Sequence, residues 1–365
     1  IAWWSDRGNR RGIIAAGIGL WSLMTTACGL ARGFWELFLA RVGVGVGEAT
    51  LSPAAYSMIA DSFPEQRRSR ALSVFFVGLP AGIGLALMLG GYVIQLVATV
   101  PEYTLPVAGT VRAWQVTFFV VGLPGLLVAL WMLTVREPAR RHGTAQAGIG
   151  DTLRFMARHW RAYAAHILGF SALGLVLNTF QIWGPQVLVR QHHYSLGQAG
   201  LALGAAILVL GSAGLLAGGA LADHLRRLGY SDATFRVALV SALALAPCGA
   251  ICTLMPDARG LLIVFLPVAV FTVFPYGAGA AALTILTPAP MRAQASAIYL
   301  LVLNLVGIGL GPLLTALLND YVFMDDAAVG KSVAIVAGVA PVLSAALFAW
   351  GLPHFRAAVG GEERD

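Results

Sequence analysis

Runs of about twenty apolar residues recur along this chain, and that feature constrains it more than any other. At about 1.5 Å of rise per residue, such a run crosses the roughly 30 Å of hydrocarbon in a bilayer. Ten runs lie near 12–31, 35–60, 71–98, 114–135, 162–188, 198–222, 235–256, 259–283, 293–318 and 332–352. In lipid only helices and closed barrels satisfy the backbone, and barrel strands would alternate over about ten residues, which these runs do not. Composition agrees. Hydrophobic residues make up 58% and charged residues 11%, against about 25% charged in a soluble domain. A soluble core of this size needs a charged shell that the chain cannot build, and disorder is excluded by the same numbers. The predicted fold class is all-α, a polytopic membrane helical bundle.

The net charge of +7 would suit nucleic-acid binding in a soluble protein. Here the basic residues sit in short loops between apolar runs, so no nucleic-acid partner is expected. Of the 24 Lys+Arg, eighteen fall on one side of the alternation, five on the other, and Arg41 inside a span. The positive-inside rule then places the first loop and the C-terminal tail in the cytoplasm. The expected location is a bacterial inner membrane. Cys28, Cys248 and Cys252 lie inside apolar runs and form neither a disulfide framework nor a metal pattern. No phosphate-binding loop of the G-x-x-x-x-G-K type occurs, so neither ATP nor another cofactor is expected.

The longest cytoplasmic stretch, 136–161, divides the chain. It reads as a linker with a short amphipathic helix near 151–160 on the membrane surface. Residues 1–135 form the first half, 162–353 the second and 354–365 a cytoplasmic tail. The halves echo one another. Asp6-Arg7-Gly8-Asn9-Arg10-Arg11 returns as Asp223-His224-Leu225-Arg226-Arg227, with the aspartates 217 residues apart. Arg67, Ala71 and Gly82-Ile83-Gly84-Leu85 return as Arg292, Ala295 and Gly307-Ile308-Gly309-Leu310. Two echoes at nearly one offset indicate a parallel duplication, a common transporter design. By that repeat, one span and most of another are expected upstream of Ile1. The bundle then has two pseudo-symmetric six-helix halves, of which ten spans and a stub are present here.

Of the 17 acidic residues only Glu48 sits deep in a span, and Arg41 is the only deep base. An ion at mid-membrane costs at least about 2.5–3.5 kcal/mol on insertion scales, which makes both functional candidates. Seven residues apart, they share a helix face about 10.5 Å apart along the axis. Burial raises a carboxyl pKa and a nearby arginine lowers it, so Glu48 is poised to load and release a proton. The alternative is a static pair that fixes helix packing. Gly43, Gly45 and Gly47 have the wrong spacing for a dinucleotide fingerprint, and Gly43 with Gly47 reads as a close-packing seam.

The Asp6-Arg7-Gly8-Asn9-Arg10-Arg11 loop and the duplication resemble the major facilitator superfamily. Arg41-Val42-Gly43-Val44-Gly45-Val46-Gly47-Glu48-Ala49, with Pro53, Asp61, Phe63, Arg67 and Leu79-Pro80-Ala81-Gly82-Ile83-Gly84-Leu85, resembles its spinster-like branch. That resemblance implies a monomeric secondary transporter working by alternating access and driven by a proton gradient. It would export a lipid-like or amphiphilic molecule. It also implies a cytoplasmic latch of Asp6, Arg7, Arg10, Arg11, Asp61, Asp223, Arg226 and Arg227, the arginines pairing with Asp61 or Glu65. The alternative is that these arginines only set topology. His166, Asn178, Gln181, Tyr276, Tyr299 and Asn304 are polar groups of the second half that either line a cavity or bond between helices. An organic-anion or sugar-acid symporter, with Arg41 as the anion's partner, and a multidrug/proton antiporter remain open. A non-transporting receptor also remains open. An intramembrane enzyme would need clustered catalytic groups, and only Glu48 and His166 qualify, in different halves. No catalytic activity is expected.

Overall fold

The computed structural model describes residues 9–63, 65–97, 102–105, 109–138 and 148–362. It is almost wholly helical. The first helices are α1 (Arg10–Cys28), α2 (Phe34–Glu48), α3 (Leu51–Ser62), α4 (Glu65–Val97) and α5 (Ala113–Met132). Then come α6 (Ile149–Arg158), α7 (Trp160–His192), α8 (Leu196–Arg227), α9 (Ala233–Cys252), α10 (Ala258–Leu286), α11 (Ala289–Phe323) and α12 (Val329–Glu362). Among the described residues, nine helices are long and apolar enough to cross a membrane. Large side chains such as Leu127 and Trp131 stay exposed on them, as a lipid-facing surface requires. This is an integral membrane protein.

Local chemistry sets the helix ends. Asn9 caps α1 by accepting from the Gly12 N–H at 2.8 Å, and Asp257 caps α10 by accepting from Gly260 at 2.8 Å. Ser195 and Gln198 form a reciprocal capping box at the start of α8.

Two expectations need correcting. The span expected at 35–60 is divided into α2 and α3 by a turn at Ala49–Thr50. Pro53 has no N–H to give the Ala49 carbonyl, so the ladder fails there. Glu48 is therefore the last residue of a helix, not the middle of one. The stretch between the third and fourth spans also carries a hairpin, β1 (Glu102–Leu105) antiparallel to β2 (Gly109–Arg112), with Glu102 opposite Arg112. Gly109 takes φ +70, where a side chain would be strained.

The chain forms two compact units. One holds 1–75 and 89–143, the other 76–88 and 144–365. In the first, α1 packs on α2 and α5, and its core contains Ile14, Ile18, Ala54, Met58 and Ala129. The Gly43/Gly47 seam lies here: a Cβ on Gly47 would meet the Trp21 backbone at 2.8 Å, and one on Gly43 would meet Met24 at 2.6 Å. In the second unit α12 runs along α7 and α9 over a ring-rich core of Phe170, Phe235, Phe265, Phe348 and Phe355. The segment Phe76–Met88 of α4 belongs to this unit. Gly84 and Gly204 explain its attachment, because a Cβ on Gly84 would lie 2.6 Å from the Gly204 carbonyl oxygen. One on Gly204 would lie 2.5 Å from that of Gly84. Only a paired absence of side chains lets α4 and α8 approach so closely.

Gly204→Val is expected to lower stability by about 1–3 kcal/mol, the usual cost of overpacking. The thermal midpoint in detergent reads it. Gly82→Ala, with open space around its Cβ position, is the control and should leave the midpoint in place.

Candidate functional site

Four groups of residues carry the chemistry, two in each unit. The first centres on Arg10, whose residue is 1% exposed. Its backbone N–H donates to Glu137 Oε1 at 3.0 Å and its Nε to the same oxygen at 3.5 Å. Nη1 donates to Ser57 Oγ at 2.8 Å and to Asp61 Oδ2 at 2.5 Å, and Nη2 to the Pro138 carbonyl at 2.8 Å. One side chain thus ties the start of α1 to α3 and to the segment beyond α5. Arg11 donates to the Leu133 carbonyl at 3.1 Å, just past the end of α5. Asp6 and Arg7 lie outside the described residues. Glu137 carries no role in the sequence reading. Its signal is its place beside Pro138 directly after the last span of the half.

In the second unit the Asp223, Arg226 and Arg227 triplet is exposed at the end of α8, and Arg227 Nε reaches only the Asp223 carbonyl, at 3.4 Å. The buried charge is instead Asp232, 1% exposed. Arg236 Nε donates to its Oδ1 at 2.8 Å and Arg356 Nε to its Oδ2 at 2.6 Å, tying the start of α9 to the end of α12. The Arg236 guanidinium also sits 4.2 Å from the Tyr230 ring centre. Burial pushes the Asp232 carboxyl up, but the hydrogen bonds and charges of the two arginines outweigh it and hold it below its ordinary 3.8. The two clamps repeat with inverted sign. Arg10 and Asp232 are 222 residues apart, and Glu137 and Arg356 are 219 apart, close to the offset of the sequence echoes.

The third group is the deep pair. Glu48 closes α2 at the Ala49–Thr50 turn, both Glu48 and Arg41 are exposed, and the charge acting on Glu48 is Arg41. No direct ion pair joins them among those of the described residues. A cavity of about 940 Å³ opens in the same unit, with Ala40 and Trp114 in its lining and Arg32, Glu36, Glu102 and Arg112 as its charges.

The fourth group gathers around Phe170. His166 lies 4.9 Å from its ring, Tyr299 6.2 Å and Tyr276 6.3 Å, and His166 lies 5.0 Å from Tyr299. His166 is fully buried and neither ring nitrogen has a hydrogen-bond partner. Leaving a buried polar group unpaired costs about 1–3 kcal/mol. Asn178 is not in this group: it donates to the Gly174 carbonyl of its own helix at 2.9 Å. Gln181 is half-buried one turn further on, and Asn304 is exposed where the π-helical stretch Asn304–Leu310 begins. Among the described residues, no cluster of three or more His, Cys, Asp or Glu is placed to hold a metal ion.

Apolar spans, buried charges paired at their ends and glycine seams between them define a polytopic α-helical membrane protein. The profile of the Major Facilitator Superfamily matches residues 1–312. Human protein spinster homolog 1 is 36% identical over 197 residues, which are 51% of this chain and 34% of that protein. The match thus spans about a third of the length of that relative. An MFS-type efflux pump of Mycolicibacterium smegmatis is 29% identical over 324 residues, 87% of this chain and 70% of the pump. A solved bacterial homolog to the human lysosomal transporter Spinster, inward-facing and unoccupied, has the same fold. Its TM-score is 0.70 at 23% identity, covering 98% of this chain and 85% of that one. The chain belongs to the Major Facilitator Superfamily, and within it its likeness is to the spinster-like branch.

Arg10→Gln removes the partner of two acids and is expected to cost about 3–5 kcal/mol, as breaking a buried pair does. Chemical denaturation in detergent measures it, and a loss below about 1 kcal/mol would rank the cluster with surface pairs.

Asp232 gives a pH signature. Its folded carboxyl titrates below the unfolded one, so its contribution is complete above the ordinary 3.8 and is lost as pH falls through the depressed folded value. Asp232→Asn should cost about 1 kcal/mol at neutral pH, the arginines being partly exposed. It should also flatten the fall of thermal midpoint on acidification; a parallel acid profile would contradict the assignment.

Proposed function

We propose that this protein is a proton-coupled secondary transporter that exports a lipid-like or amphiphilic molecule by alternating access. In this reading it works as a monomer in a bacterial inner membrane with its C-terminus in the cytoplasm. The observation that carries the coupling is Glu48. It is a carboxylate at a helix break within a predicted span, two turns from Arg41, whose charge acts on it. The break leaves the carboxylate at a helix end, where a small change in backbone or water access alters its surroundings. A proton taken up there neutralises Glu48 and removes its attraction to the Arg41 charge, so protonation and helix geometry are linked.

The apolar character of the second half supports an amphiphile over a sugar or a dicarboxylate. Around Phe170 the polar groups are one imidazole and two phenols, with no charge among them. The likeness to an efflux pump supports a second reading, a multidrug/proton antiporter with the same coupling residue.

Glu48→Gln keeps shape and hydrogen bonding but cannot ionise. In proteoliposomes it should lose flux driven by an imposed pH gradient while retaining energy-independent exchange. Arg41→Ala should be more damaging, because it removes the arginine charge that acts on Glu48. A Glu48→Gln protein that answers the gradient like the parent would place coupling elsewhere. Running each assay with a lysophospholipid and with a cationic dye separates the two substrate readings.

A further inference from the structure

Where α6 turns into α7, the chain forms a second pocket, of about 320 Å³. Arg158, His159, Trp160 and Arg161 line it from one side, and His354 and Ala358 from α12 on the other. No acidic side chain is in its lining. Two acids whose side chains are described are already engaged. Asp151 pairs with Arg154 at 3.1 Å, and both Asp232 oxygens are held by Arg236 and Arg356. Neither Arg158 nor Arg161 has an ion pair among those of the described residues. The first turn of α7 carries no acid either.

The aromatic groups give the pocket its depth in the membrane. The Trp160 and Trp350 rings lie 5.9 Å apart and remain 54% and 40% exposed. The Arg161 guanidinium lies 5.6 Å from the Trp160 ring, and His354 lies 5.4 Å from Trp350. Exposed tryptophans concentrate at headgroup level. Helix α6 holds the same level. It docks through buried Thr152, whose hydroxyl donates to Gln294 Oε1 at 2.6 Å, and through buried Met156, and it leaves Ile149 and Leu153 exposed. An amphipathic helix of this kind lies in the interface plane. This end of the bundle is also the arginine-rich one, which topology assigns to the leaflet that carries anionic lipid.

We propose that this pocket binds the phosphate of an anionic membrane lipid. Arg158 and Arg161 pair with the phosphate, a planar guanidinium matching its oxygens. Trp160 and Trp350 pack against the glycerol and the start of the acyl chains. The pocket is sized for the headgroup, and the chains run along the exposed rings. A free phosphate shares the charge chemistry but has nothing to place against the tryptophans. The assignment rests on the membrane orientation and is independent of what the protein transports.

The test uses the full chain purified in detergent. Native mass spectrometry and thermal shift are followed with phosphatidylglycerol, phosphatidylcholine and inorganic phosphate. Phosphatidylglycerol should be retained and should raise the midpoint, while the other two should do neither at equal concentration. Each of Arg158→Gln and Arg161→Gln should weaken phosphatidylglycerol binding about fivefold, and the double variant about 25-fold. Arg154→Gln, whose arginine is already paired, should bind as the parent does. Because Arg158 and Arg161 are exposed, lipid-free midpoints should match the parent; where one does not, binding is read from the single variant that keeps it. Equal retention of phosphatidylcholine, or parent-like binding by the double variant, overturns the site. An equal shift with inorganic phosphate overturns the lipid and leaves a soluble anion.

Discussion

A charge withdrawn from water is tolerated only where its partners are fixed, and Arg10 meets that condition with all three of its guanidinium nitrogens. It takes Asp61, Glu137, Ser57 and a proline carbonyl, and in doing so joins α1, α3 and the segment after α5. Apolar helices in lipid have little hydrophobic reason to choose one neighbour over another. Directional contacts at their ends supply that choice. Asp232 does the same work in the other unit with the signs exchanged, drawing Arg236 and Arg356 onto one carboxylate. A duplicated fold has thus kept the place of the clamp and not its residues, which is why matching residue for residue leads to Asp223 and misses Asp232.

Between the ends, packing depends on missing side chains. Gly84 against Gly204 and Gly47 against Trp21 bring backbones within van der Waals reach. In a bilayer such close approach is a main source of helix association, since lipid tails are as apolar as leucine. Glycine faces hold no interlocking side chains, so these joints rest on backbone contact. The segment Phe76–Met88 illustrates this: its glycine joint to α8 draws it out of the unit to which the rest of α4 belongs.

Glu48 and the pocket between α6 and α12 place charge in different settings. Glu48 stands at a helix break in an apolar stretch. Arg158 and Arg161 are exposed at the turn from α6 to α7, where a cation costs little.

Much was legible in the sequence. Run length set the nature of the spans, because about twenty apolar residues of helix match a bilayer core whatever surrounds them. It did not set their number: ten runs are expected and nine described helices qualify, the 35–60 run breaking at Ala49–Thr50. Arginine placement and the repeat followed from residue identity and spacing alone. Glu48 and Arg41 stood out because an ion in an apolar run is costly in any fold. What the sequence could not decide is which groups meet over long separations. Arg10 and Glu137 are 127 positions apart, and Asp232 and Arg356 are 124 apart. No periodicity links them; only the packing of α1 beside α5, and of α9 beside α12, brings them together. The break at Ala49–Thr50 lies between these cases. Pro53 announces it, but a single proline in a span is often absorbed as a kink, and only the backbone path tells a kink from an end.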